Sequence, residues 1–98
     1  MPFDKKTLDR LREEGDFGEG SKNEVYITSG AQTLIEDRWE DILFLFMTFE
    51  NWDPDWDPND LHEIGVFPFG DGEIMFKIEP VDLAQDIFKI TFLLPEEW

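Results

Sequence analysis

The chain has no cysteine, one histidine and only 8 Lys and Arg among 98 residues. Without cysteine there is no disulfide, no thiol nucleophile and no zinc–thiolate site. With so few cations set against 24 Asp and Glu, the net charge is −16, and a protein of that sign cannot bind a phosphate backbone by neutralising it. Nor is it drawn electrostatically to an anionic membrane surface. No long apolar run occurs: the longest, Ile42 to Met47, is far short of the roughly 20 residues a membrane span needs. No apolar stretch follows the start Met-Pro-Phe-Asp-Lys-Lys, so no secretory signal is visible. A soluble, intracellular protein is expected. Aromatics, by contrast, are abundant, with ten Phe, four Trp and one Tyr. Disordered acidic chains are poor in them, so a packed aromatic core inside a negative shell is expected.

The length fits one domain, 1–98, and no repeat or low-complexity linker suggests a second. Asp4 is placed to cap a first helix, with Phe3 and Leu8 as a hydrophobic staple, and Gly15 is placed to stop it. Residues 15–22 read as a polar, Gly-rich loop. Glu24 to Thr28 alternates as a strand with Val25 and Ile27 on one face, and Ser29-Gly30 breaks it. A second helix is expected from a Thr33/Glu36 capping box, with Trp39, Ile42, Leu43 and Phe46 at helical spacing; a strand over 42–49 is the alternative. Residues 50–61, with Pro54 and Pro58, read as a loop. Three strands are then expected: His62–Phe67, Glu73–Glu79 after a Gly70-Asp71-Gly72 hairpin turn, and Asp86–Leu94. Short connections favour an antiparallel meander. The fold class is α+β: two helices packed on a mainly antiparallel sheet of about four strands.

The segment 50–63 carries six carboxylates and neither Lys nor Arg. Asp53, Asp55 and Asp57 open like a calcium loop, but Pro58 stands where the sixth position needs Gly and Ile64 where the twelfth needs Glu. No metal site and no cofactor are therefore expected. His62 and Glu63 are neighbours, and on a strand they would point to opposite faces. No nucleophile elbow, zinc helix, P-loop or dinucleotide fingerprint is present, so the chain is read as a non-enzyme.

The remaining reading is an acidic recognition surface. Its members would be Glu50, Asp53, Asp55, Asp57, Asp60 and Glu63, extended by Glu36, Asp37, Glu40 and Asp41, with Asp71 and Glu73 at the hairpin turn. The pairs Glu36–Glu40 and Asp37–Asp41 would set like charges one helical turn apart, which costs stability. Trp52 and Trp56 are either anchors of the loop to the core or apolar contacts of the surface. A folded domain of this size exposes roughly 5,800 Å², or about one net charge per 360 Å² when spread evenly. A duplex carries about one per 100 Å² of its cylinder. Only carboxylates gathered on one face can imitate it.

Three segments resemble a family of small, uncharacterised bacterial single-domain proteins with motifs like DP-x-x-EHDFG, WKIDYYD and LTIMLAEEY. They are Asp57-Pro58-Asn59-Asp60-Leu61-His62-Glu63-Ile64-Gly65, Phe76-Lys77-Ile78-Glu79-Pro80-Val81-Asp82 and Ile90-Thr91-Phe92-Leu93-Leu94-Pro95-Glu96-Glu97-Trp98. Leu61 and Pro80 depart from those patterns. The resemblance implies an α+β fold and no established activity. In general character the chain is also similar to phage anti-CRISPR proteins of the acidic, DNA-mimicking kind. That likeness implies a monomeric inhibitor whose partner is a basic DNA-binding protein, a CRISPR effector subunit, blocked at its DNA channel. The alternative is an antitoxin-like accessory protein masking a basic partner of another kind.

Overall fold

A computed structural model describes residues 4–98. The order is α1 (Lys5–Glu14), β1 (Glu24–Ile27), α2 (Ser29–Ile35), α3 (Trp39–Met47), β2 (Ile64–Phe69), β3 (Gly72–Asp82) and β4 (Ile87–Leu93). Short 3-10 turns at Leu83–Gln85 and Pro95–Glu97 flank β4. The sheet order is β1-β4-β3-β2. The strands β2, β3 and β4 form the expected meander, but β1 joins its edge parallel to β4, with Val25 opposite Ile90. This is an α+β fold with a mixed sheet.

Local chemistry explains most boundaries. The Thr7 amide donates to Asp4 Oδ1 at 2.8 Å, and Gly15 closes α1 with φ 68°, a left-handed conformation that glycine adopts without a side-chain clash. Phe3 of the expected staple lies outside the described residues. Phe69 and Gly72 close a two-residue hairpin loop in which Gly70 takes φ 59°. The strand β2 starts two residues later than expected, and β3 runs on to Asp82.

The expected second helix is two helices. Thr28 caps α2, accepting from the Ala31 amide, while Thr33 sits inside α2 and donates to the Ser29 carbonyl. The predicted Thr33/Glu36 capping box is therefore not formed. Glu36 ends α2 at φ 55°, and α3 begins after Arg38. Glu36 and Glu40 do not share a continuous helix, so the expected one-turn helical spacing between them is not formed; the same holds for Asp37 and Asp41.

One face of the sheet carries Phe67, Phe69, Ile74, Phe76, Ile78, Phe88, Ile90 and Phe92, all buried. Alternation along each strand places them there. Phe46 of α3 is the hub, meeting Phe17, Phe76 and Phe92 edge-to-face with ring centroids at 5.2, 4.8 and 5.1 Å. Trp39 packs edge-on against Phe92. Of the apolar residues of α3, Phe44 alone is largely exposed. On the opposite sheet face Met75 and Leu93 are also buried, and the C-terminal turn packs on β3. No helix among the described residues is long and apolar enough to cross a membrane.

Candidate functional site

The 50–63 loop is built around Asp57, the one buried carboxylate among the described residues, at 5% exposure. Its two oxygens accept from the Leu61 and His62 amides at 2.9 and 3.0 Å. Those bonds hold a turn in which Asp60 and His62 both take positive φ. His62 thus precedes β2 rather than lying on a strand, which corrects the opposite-faces expectation for His62 and Glu63. The His62 ring stacks on Trp52 at 4.0 Å, with only 8° between planes. Its Nδ1 lies 2.7 Å from Asp9 Oδ1 and its Nε2 3.4 Å from Asp60 Oδ1.

Cations absent from the loop arrive from α1. Lys5 donates to Asp60 at 3.0 Å, which lowers the Asp60 pKa and raises that of Lys5. Arg12, nearly fully buried, donates to Asp9 and to the Phe49 carbonyl and lies over the Trp52 ring at 4.9 Å. Burial pulls its pKa below the ordinary guanidinium value. Glu63 is the exception in this corner. Desolvation, helped by the nearby Asp57 charge, raises its carboxyl above the usual range.

Two of the proposed surface residues are therefore structural. Asp57 is not accessible to a partner, because burial and two backbone donors occupy it. Trp52 is a core anchor, packed on Phe49 and Phe76 as well as on His62. Asp60 is exposed but paired. Sequence reading missed Asp9 and Arg12, whose only signal was a place on the buried stripe of α1.

Asp57, Asp60 and His62 offer ligand atoms within 4.8 Å of one another. They are the group here that could hold a cation, although each already has protein partners. Thr48, the one hydroxyl lining the hollow beside Asp9, Arg12 and His62, donates to the Phe44 carbonyl.

The carboxylates away from α1 stand differently. Glu36, Asp37, Glu40, Asp41, Asp53, Asp55, Asp71 and Glu73 are all exposed, as is Glu50, which lines the hollow beside Asp9 and Arg12. The hairpin turn bearing Asp71 abuts the α2–α3 corner, where a Cβ on Gly70 would lie 3.0 Å from the Arg38 guanidinium. Arg38 itself lies over the Phe69 ring at 4.3 Å. Asp53 and Glu73 line one hollow together with Trp56, Val66 and Pro95. The hairpin turn, the α2–α3 corner and the first half of the 50–63 loop thus make an acidic rim with Arg38 beside it. The total exposed area is 5928 Å², and sixteen net charges spread over it average about one per 370 Å².

The chain is a small α+β domain whose distinguishing feature is this division of its carboxylates. A family of proteins of unknown function, DUF3768, matches residues 27–90, and the chain belongs to that family. The match agrees with the expectation of an uncharacterised small-domain family. No curated protein matches the chain, and no solved structure does.

Proposed function

We propose that this protein is a non-enzymatic inhibitor that presents its acidic rim to a Lys/Arg-lined nucleic-acid-binding surface of a partner protein. The observation that carries this reading is the segregation of charge: Asp9, Glu14 and Asp60 around α1 have cation partners, while Asp53, Asp71 and Glu73 stand exposed on the rim. Glu36, Asp37, Glu40 and Asp41 extend that surface, and Glu50 and Asp55 flank it. Such an array attracts a basic channel over long range, speeds encounter and weakens as salt rises. A CRISPR effector subunit is the partner proposed first, with the protein acting in the bacterial cytoplasm as a monomer.

The test is competition. Excess protein should release a labelled target duplex from a purified type I or type II effector, and the triple variant Asp53→Lys, Asp71→Lys, Glu73→Lys should lose that effect. Competition that survives charge reversal would overturn the rim assignment. Release of DNA from unrelated basic proteins but from neither effector would move the partner to the antitoxin-like alternative.

A further inference from the structure

Two adjoining hollows run beside the rim and share Glu73 and Pro95. The larger, about 460 Å³, is lined by Leu34, Leu94 and Pro95, with Asp71, Glu73 and Glu96 around them. The smaller, about 180 Å³, is lined by Trp56 and Val66 with Asp53 and Glu73. Neither lining includes a Lys or Arg. By contrast, the hollows beside α1 include Arg10 and Lys22 in one and Arg12 in the other.

The wall between α2 and the C-terminal turn is held in place. Glu97 Oε1 accepts from the Thr28 hydroxyl at 2.6 Å and from the Leu94 amide at 2.8 Å, bonds that hold its carboxyl below the usual range. Gly30 lets α2 approach this turn closely: a Cβ there would lie 2.8 Å from Leu94 Cδ1, so the Leu94 side chain would have to shift to admit one. The groove is thus preformed, which lowers the ordering cost of filling it.

We propose that this groove receives an extended segment of the basic partner in which an arginine neighbours an aliphatic residue. The inference rests on the acidic-rim reading and commits it to a partner chemistry. The smaller hollow suits a guanidinium, which is planar and weakly hydrated, stacks on an indole and pairs with carboxylates. Trp56, Asp53 and Glu73 supply those partners. The larger hollow suits an aliphatic side chain, because Leu34, Leu94 and Pro95 gain nothing from a bare cation and gain from apolar burial. A second copy of this chain is disfavoured, since two chains of charge −16 repel.

The probes are two synthetic peptides of equal charge, acetyl-(Arg-Leu)3-amide and acetyl-(Arg-Gly)3-amide, titrated into the isotopically labelled protein. The Arg-Leu peptide should bind about tenfold more tightly, the scale of one well-buried leucine. It should shift the amides of Gly30, Leu34, Gly72 and Glu73 and the Trp56 indole. Leu34→Ala, in the aliphatic hollow, should erase most of that preference; Trp56→Ala and Glu73→Gln, in the arginine hollow, should each weaken binding of both peptides; and Asp55→Asn should change neither. Glu73→Gln, on an exposed site, carries the test if Trp56→Ala fails to fold. Equal, salt-sensitive binding of both peptides, with shifts spread over the acidic surface, would remove the groove and leave the rim reading standing. Binding of neither peptide, together with DNA competition unaffected by charge reversal, would remove both.

Discussion

Asp53 and Asp57 sit four residues apart in one loop, and they have opposite fates. Asp57 is buried and accepts two backbone amides; Asp53 is exposed and accepts one, from Asp55 at 2.9 Å. The difference extends to their surroundings. The corner under α1 gathers Asp9, Arg12, Asp60, His62 and Lys5 into a network that ties the loop to the helix. The rim around Asp53, Asp71 and Glu73 gathers carboxylates beside Arg38. Net charge counts both regions alike, yet only the second has charge to offer a partner. A carboxylate engaged by donors stabilises the fold, whereas an unpaired one raises the self-repulsion of the folded state.

The sharpest way to break this contrast is to remove the two aspartates in turn. Asp57→Ala leaves two amides without acceptors and should cost about 2–3 kcal/mol in urea unfolding. Asp53→Ala should stay within about 0.5 kcal/mol of the parent. Equal costs would mean that the loop is not organised around Asp57.

A smaller effect is expected at His62. Truncation to alanine removes the stack on Trp52 and the contact with Asp9, and should cost about 1 kcal/mol. The Trp52 environment should change with it, read as altered near-ultraviolet dichroism. An unchanged aromatic signal would break the link between the ring pair and the corner.

The smallest effect is at Glu63, which sharpens the comparison by showing a carboxylate that burdens the corner. Its raised folded-state pKa means that its favourable contribution is complete below the unfolded value and is lost as pH rises through the folded one. Glu63→Gln should therefore raise the melting temperature at pH 7 by a small margin, on the order of 1–2 °C. That gain should vanish in acid, below the unfolded glutamate range near 4.3. A gain that persists at pH 3 would show that charge is not its cause.

Much of the frame was legible because its determinants are local. Asp4 and Gly15 bound α1 through bonds to residues within one turn, and the period-two pattern of Glu73–Glu79 assigns a face to each side chain without reference to a partner. The break at Glu36–Arg38 was not legible, since residues 29–47 include no proline and no glycine beyond Gly30. The chain turns there through a positive φ at Glu36, a residue type that gives no local signal for that conformation. The parallel pairing of β1 was also hidden, because strand order depends on contacts more than sixty residues apart.

Composition and periodicity act over short spans, and they specify a cysteine-free α+β domain with an aromatic core, a hairpin at Gly70-Asp71 and a strongly negative surface. Which carboxylates remain exposed and unpaired depends instead on contacts made by distant parts of the chain. Lys5 reaches Asp60 across 55 positions and Asp9 reaches His62 across 53. A charge is paired by what lies near it in space, and no reading of the neighbouring residues supplies that distance.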